Sequence, residues 1–197
     1  MLNVDTLTLG LYQVNCYIVS QPGRKDCCII DPGYEPETIL DFLAEKDLTP
    51  AAILLTHGHF DHVGGVRTLA AEYPDCRIYL CSEDLMMPPQ MTAGPLCYNI
   101  VYREGSQMDL AGIHWSVIAT PGHTPGSVCL FAEDCMFSGD TLFRGSCGRT
   151  DLPCGSYSDL QDSLLRISRI PGDYRVFPGH GDSTTLAEEK QYNPFLR

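Results

Sequence analysis

The chain is poor in basic residues and has no long apolar run. Its 197 residues include 13 lysines and arginines against 25 aspartates and glutamates, and the formal net charge is −12. Because nucleic-acid binding needs a basic stripe, this balance argues against a nucleic-acid partner. No stretch is apolar enough to span a membrane, and the first five residues lack the features of a signal peptide. We therefore expect a cytoplasmic protein with neither a nucleic-acid nor a membrane partner.

The chain length and the cysteine spacing limit the number of domains and the kinds of metal or redox motif. A chain of this length is typical of one domain, and we expect residues 1–197 to form a single one. The ten cysteines include no Cys-x-x-Cys pair, the spacing of zinc knuckles and redox motifs. The cysteine spacing therefore predicts neither of these motifs, and the roles of Cys147 and Cys154, which flank a Gly-rich loop after Asp140, stay open.

Apolar periodicity and turn residues predict alternating strands and helices. The predicted strands are 4–9, 15–20, 27–31, 51–55, 77–80, 113–119, 127–131, 135–138 and 175–177. The predicted helices are 35–46, 62–73, 157–170 and 185–191. Strand blocks separated by helices indicate two sheets covered by helices on the outside. A Met- and Pro-rich segment, 85–98, is predicted to be an irregular insertion.

Five of the six histidines fall into motifs, and the densest motif is Thr56-His57-Gly58-His59-Phe60-Asp61-His62. Alternate residues of an extended backbone point the same way, so His57 and His59 can reach one ion. Asp61 and His62 follow where the chain turns into a helix. Four ligands this close together in sequence cannot easily share one ion, and their division into His57 with His59 and Asp61 with His62 indicates two adjacent ions. Imidazole and carboxylate ligands suit zinc, iron or manganese.

Three further candidate ligands share one context. Each follows a strand-like run that ends in glycine, and they are His123, Asp140 and His180. Ligands at strand ends are held by a rigid scaffold while one side stays open. The sixth histidine, His114, lies in a predicted strand without such a motif, and we expect it to bind no metal.

These ligands, in this order along the chain, resemble those of the metallo-β-lactamase superfamily. The resemblance extends from Asp31-Pro32-Gly33 to Asn193-Pro194-Phe195-Leu196. It implies an α/β (α+β) fold, an αββα sandwich of two mixed β-sheets flanked by helices. It also implies two divalent metal ions, with zinc expected and iron or manganese as alternatives. The implied ligands are His57, His59 and His123 for one ion, Asp61, His62 and His180 for the other, and Asp140 as the bridge.

Within the superfamily, the runs 139–143, 148–151 and 178–181 are similar to those of glyoxalase II-type hydrolases (hydroxyacylglutathione hydrolases). This resemblance implies a small-molecule partner, an acyl thioester such as S-lactoylglutathione, which a metal-bridging hydroxide would attack. Asp61 would orient that nucleophile. The chain ends at Arg197 without the C-terminal helices that supply basic glutathione contacts in classical glyoxalase II. Asp182 replaces an aromatic residue of that family. The chain therefore resembles the short single-domain relatives, and glutathione specificity is not implied.

Three other functions compete with thioester hydrolysis. Sulfur dioxygenases of the superfamily share these motifs, including the Gly-Arg-Thr-Asp run, but use one iron ion to oxidise a persulfide. A β-lactamase is less favoured, because the chain has no export signal and its Asp140 pattern fits the glyoxalase-like branch. A non-catalytic binding module is disfavoured, because all seven ligands are present.

Two features bear on the substrate. Arg149 lies nine positions after Asp140 in a Gly-rich loop. The glyoxalase II branch has a glutathione-contacting basic residue at the matching place, so we expect Arg149 to anchor substrate. The alternative is an internal salt bridge to Asp151 or Asp159. The segment 85–98 is expected to line or cover the cleft, and its alternative is a plain surface excursion.

Overall fold

Two six-stranded β-sheets form the framework of the computed structural model, which describes residues 1–92 and 94–197. The first sheet contains, in spatial order, Asn3–Leu9 (β1), Val14–Ser20 (β2), Asp26–Ile30 (β3), Thr49–Leu54 (β4), Arg77–Cys81 (β5) and Ile100–Tyr102 (β6). Its first three strands are antiparallel neighbours, and β3 to β6 are parallel neighbours. The sheet is therefore mixed.

The second sheet is also mixed. It contains, in spatial order, Thr184–Thr185 (β14), Arg175–Pro178 (β13), Cys135–Gly139 (β10), Val128–Ala132 (β9), Ile113–Ala119 (β8) and Gln107–Leu110 (β7). The pair β10–β13 is parallel, and the other neighbours are antiparallel. A small separate hairpin joins Leu142–Phe143 (β11) to Ser146–Cys147 (β12).

The helices are short. They are Pro36–Lys46 (α1), Phe60–Val63 (α2), Val66–Glu72 (α3), Pro89–Thr92 (α4), Tyr157–Ser168 (α5) and Leu186–Tyr192 (α6), with a 3-10 helix at Ser82–Met86. The side chain of Ser156 caps α5 by accepting from the N–H of Asp159. In the part of the chain that the structure describes, no helix combines the length and the hydropathy needed to cross a membrane.

The core has three layers of apolar side chains, because both sheets are covered on both faces. Tyr17 of β2 and Trp115 of β8 are buried between the two sheets. The neighbouring Ile18 points to the opposite face of the first sheet, where it shares a cluster with residues of α1 and α3. The outer face of the second sheet forms a cluster with α5, through Leu160 and Leu164. This arrangement confirms the predicted αββα sandwich of two mixed sheets.

The predicted helix 62–73 is wrong as a single element. The structure has two helices here, separated by Gly64 and Gly65. A Cβ atom at Gly64 would lie 2.2 Å from the carbonyl oxygen of Gly33. The N–H of Gly65 donates to the carbonyl of Pro32 at 2.8 Å. The helical pattern is therefore interrupted by a close backbone approach that requires glycine.

Several short elements were not predicted. Strands β6, β7, β11, β12 and β14 are two to four residues long, too short for a periodic signal. The segment 85–98 is not wholly irregular, because it contains the end of the 3-10 helix and all of α4. Residue 93 of this segment lies outside the described residues.

Candidate metal centre

The seven predicted ligands meet at one end of the sandwich, where strands of both sheets end. His57 and His59 follow β4, and α2 carries Asp61 and His62. The other three follow β8, β10 and β13, and they are His123, Asp140 and His180. The tertiary fold thus brings together residues that are far apart in the chain.

The first group consists of His57, His59 and His123, all of them buried. Their ring centroids lie 4.6 to 4.9 Å apart. The Nδ1 atom of His59 lies 2.8 Å from the Nε2 atom of His123. The Nε2 atom of His57 is buried and has no hydrogen-bond partner among the described residues. One nitrogen from each ring lies within 4.8 Å of the other two, which is close enough for all three to contact one ion.

The second group consists of Asp61, His62 and His180. The Oδ2 atom of Asp61 lies 3.4 Å from Nε2 of His180 and 3.9 Å from Nε2 of His62. The two Nε2 atoms are 3.4 Å apart. This group offers a carboxylate and two imidazoles, a donor set that suits a divalent transition metal.

Asp140 lies between the two groups. Its Oδ1 atom is 3.4 Å from Nε2 of His62, and its Oδ2 atom is 3.5 Å from Nε2 of His123. Burial raises the pKa of Asp140, but the neighbouring His62 outweighs it and holds that pKa below the usual range. The Oδ1 atom is buried without a hydrogen-bond partner in the described residues. A Cβ at Gly179 would lie 2.2 Å from this atom, so glycine leaves the space beside it open.

Unpartnered buried acceptors are costly, and here they converge on one space. The unpartnered atoms include Nε2 of His57 and Oδ1 of Asp140. Divalent cations placed among the two groups would satisfy these atoms. The residues present therefore fit metal ions.

Contacts behind the imidazoles orient three of them. Nδ1 of His62 lies 2.9 Å from Oδ2 of Asp31, Nδ1 of His123 lies 2.7 Å from the carbonyl of Arg149, and Nδ1 of His180 lies 3.0 Å from the carbonyl of Tyr12. These oxygens are acceptors, so each ring donates its proton from Nδ1. The Nε2 lone pair is then directed into the centre, as a metal ligand requires.

Asp31 and Asp84 were not predicted as site residues. The two carboxylates lie buried behind the ligand loops. Asp31 accepts hydrogen bonds from the N–H of Thr56 at 2.7 Å and from its hydroxyl at 2.5 Å, in addition to contacting His62. Asp31 does belong to the Asp-Pro-Gly run that carries the family resemblance, which was the one available signal.

Asp84 joins two ligand-bearing loops. It accepts from the N–H of Gly58 at 2.7 Å, from the N–H of Gly126 at 2.6 Å and from the hydroxyl of Thr124 at 3.0 Å. Burial raises the pKa of this carboxyl. Gly58 lies in the His57–His59 loop, and Thr124 follows His123. Asp84 therefore connects the two loops of the first group, and no local sequence pattern indicates this role.

Protonation states of the metal-free protein follow from burial and neighbouring charge. Burial, with the nearby His62, lowers the pKa of His57 well below its usual value. Burial, with His123, lowers the pKa of His59 to about 4. Burial lowers the pKa of His62, but the neighbouring carboxylates of Asp140 and Asp31 outweigh burial and raise that pKa well above the usual value. His57 and His59 are thus neutral at pH 7, and a cation that binds His62 must displace a proton.

A cleft of about 610 Å³ opens onto the centre. Its apolar lining residues include Tyr12, Phe60, Met91, Phe143 and Leu152. Met91 belongs to the segment 85–98, whereas Leu85 and Met87 of that segment line a separate cavity of about 370 Å³. The segment therefore contributes to the cleft through α4.

Arg149 lies at the edge of the cleft with an exposed side chain. Its Nε and Nη2 atoms each donate to Asp151 at 2.7 Å. This is the salt bridge that the sequence offered as the alternative to substrate anchoring, and the anchoring role stays a prediction. His114, which was expected to bind no metal, is exposed and contacts Asp109 away from the centre.

Comparisons with known proteins place this geometry in context. Residues 9–180 match the family model of the metallo-beta-lactamase superfamily. The hydroxyacylglutathione hydrolase GloC of Haemophilus influenzae is 33% identical over 212 residues, which cover 99% of this chain and 98% of GloC. The structure of the BLEG-1 B3 metallo-beta-lactamase is similar with a TM-score of 0.89 and 34% identity, covering 98% of this chain and 99% of that one. The structure of TTHA1623 in a di-iron-bound form has a TM-score of 0.84 and 41% identity, covering 98% and 100%.

Proposed function

Because the chain belongs to the metallo-β-lactamase superfamily, we propose that it is a metal-dependent hydrolase of small-molecule acyl thioesters. The observation that carries this proposal is the convergence of two ligand groups on Asp140, with inward-facing atoms that have no hydrogen-bond partner among the described residues. The similarity to hydroxyacylglutathione hydrolase GloC supports a thioester as the substrate.

The proposed enzyme uses two divalent ions. Zinc is the expected metal, and iron and manganese are the alternatives. The similarity to a di-iron-bound protein supports two ions and the iron alternative. The proposed ligands are His57, His59 and His123 for one ion, Asp61, His62 and His180 for the other, and Asp140 between them. Divalent ions held there would lower the pKa of water and polarise a carbonyl oxygen.

Asp61 is the residue that we propose orients the attacking water. It lines the cleft. Burial raises its pKa, but a hydrogen bond with His180 outweighs burial and keeps the pKa below its usual value. The carboxylate is therefore ionised at neutral pH and would accept a hydrogen bond from a water bound in the cleft. The thiolate can leave without first being protonated, because thiol pKa values are about 8.5.

The test follows thiol release by protein of measured metal content. We expect release from S-lactoylglutathione or another acyl thioester that disappears after chelation and returns when zinc or iron is added. Asp61→Asn should abolish release. Asp109→Asn, which removes the same charge from an exposed pair with His114, should not. Metal-loaded protein that releases no thiol from any thioester would refute the proposal, and oxygen uptake with a persulfide would instead indicate the dioxygenase.

A second candidate reaction is the opening of a β-lactam. It is favoured by the TM-score of 0.89 to a B3 metallo-β-lactamase. We rank it lower because the amine that leaves an amide must be protonated, whereas a thiolate leaves without a proton. Turnover of a chromogenic cephalosporin by the same metal-loaded sample, at a rate above that of thioesters, would reverse this order.

A further inference from the structure

The cleft has an apolar wall next to the metal centre. The ring of Tyr12 packs edge-on against that of Phe60 at 5.3 Å between centroids. Phe143 also lines the cleft, with its ring centroid 6.3 Å from that of His180. Met91 and Leu152 also line the cleft. An apolar group attached to a carbonyl at the centre would therefore contact aromatic and aliphatic side chains.

Apart from the proposed metal ions, cationic side chains are scarce in the same cleft. Among the described residues that line it, Arg149 is the one cationic side chain, and both of its contacting nitrogens are bonded to Asp151. Arg144, which follows Phe143 in the chain, lies 3.5 Å from Asp182 and 3.9 Å from Glu188. A carrier with carboxylates, such as glutathione, needs cations that are free to pair with them. Both nearby arginines already have acidic partners.

We propose that the preferred substrate is a thioester whose acyl group is apolar and several carbons long, on a carrier without carboxylates. This inference rests on the proposed thioester hydrolysis and specifies its substrate class. In the reaction, water supplies the hydroxyl group of the carboxylic acid and the proton of the thiol, and the carbon–sulfur bond breaks. The apolar acyl group contacts the apolar wall, formed by Tyr12, Phe60, Met91, Phe143 and Leu152. A carrier without carboxylates does not compete with Asp151 for the guanidinium of Arg149.

Four matched thioesters separate the contributions of acyl group and carrier. The metal-loaded protein is assayed with acetyl and hexanoyl groups, each on N-acetylcysteamine and on glutathione. We expect kcat/KM to rise at least about tenfold from acetyl to hexanoyl, because added methylenes are buried on the wall. With the same acyl group, the uncharged carrier should be the better substrate. Equal values for both acyl groups, or a preference for the glutathione carrier, would overturn the inference.

Binding of a thioether that cannot be hydrolysed tests the cleft without turnover. We expect S-hexyl-N-acetylcysteamine to bind the metal-loaded protein more tightly than S-hexylglutathione in calorimetry. Tyr12→Ala should weaken that binding by about fivefold or more, through lost apolar contact. Tyr157→Ala is the matched control, because Tyr157 is 56% exposed, against 57% for Tyr12, and does not line the cleft. An unchanged dissociation constant for Tyr12→Ala would refute the role of the wall.

Together, the kinetic assay and the binding assay distinguish an error in the substrate class from an error in the proposed hydrolysis. If the glutathione thioesters are turned over faster than the matching N-acetylcysteamine thioesters and S-hexylglutathione is the tighter ligand, the substrate class is wrong and thioester hydrolysis stands. If no thioester is hydrolysed but the neutral thioether still binds in a Tyr12-dependent manner, hydrolysis is wrong and the apolar preference of the cleft stands.

Discussion

Replacing Asp31 by asparagine should weaken metal binding without touching a ligand. Asp31 is 1% exposed, and its Oδ2 atom lies 2.9 Å from Nδ1 of His62. Its Oδ1 atom accepts from the N–H of Thr56 at 2.7 Å. An asparagine that keeps its oxygen toward this N–H must turn its NH₂ group toward His62. The variant therefore presents a donor where the imidazole needs an acceptor.

His62 then has two unfavourable options. It can keep the proton on Nδ1 and face the NH₂ group, which leaves a buried donor unpaired at a cost of about 1–3 kcal/mol. It can instead move the proton to Nε2, the atom that lies 3.4 Å from Asp140 and faces the centre, and so lose its ligand lone pair. Since about 1.4 kcal/mol is tenfold in affinity, we expect the group of Asp61, His62 and His180 to bind metal about 10–100-fold more weakly.

Competition with a chromophoric chelator would measure both binding steps, and nitrogen-15 NMR of the imidazoles would show the tautomer of His62. Asp109→Asn is the control, because it also changes the net charge by one and also breaks an Asp–His contact of 2.9 Å, but on the surface. Unchanged metal affinity in Asp31→Asn, or an equal loss in both variants, would refute the reasoning.

Three further substitutions and one chelation experiment test other parts of the centre and its cleft. Gly179→Ala should lower the metal content of both groups in elemental analysis, because its Cβ would lie 2.2 Å from Oδ1 of Asp140; full occupancy would contradict this. In chelator competition, Asp84→Asn should weaken metal binding by the group of three histidines more than by the other group, since one amide oxygen cannot accept from the N–H groups of both Gly58 and Gly126. Equal weakening of both groups would indicate general destabilisation. Chelation should lower the melting temperature in calorimetry, and added zinc should restore it, because ions that bind the folded state stabilise it; an unchanged melting temperature would argue against tight binding. Arg149→Ala separates the two roles that the sequence offers for this residue: a structural pair with Asp151 predicts an equal change in kcat/KM for acidic and neutral thioesters, whereas a KM increase confined to acidic thioesters would support the predicted anchoring role.

The sequence by itself determined the residues of the candidate centre and the fold. His57, His59, Asp61 and His62 lie within one short loop, where the alternation of an extended backbone and the start of a helix decide which way side chains point. His123, Asp140 and His180 were recognisable because each follows a strand-like run of sequence that ends in glycine. Helices α1, α5 and α6 and the longer strands were predicted because their apolar periodicity is local, and an amphipathic element must bury its apolar face wherever it lies.

Only the tertiary structure decided how the ligands are supported and what the cleft is made of. Asp31 and Asp84 accept from backbone and side-chain donors more than 20 residues away, and a carboxylate in a sequence does not indicate which distant N–H it will meet. The break at Gly64 likewise depends on the carbonyl of Gly33 from another part of the chain. The apolar wall forms because the turn of Tyr12 and the hairpin of Phe143 reach the same cleft. Such contacts depend on the packing of the two sheets and their helices, a long-range property that local periodicity does not encode.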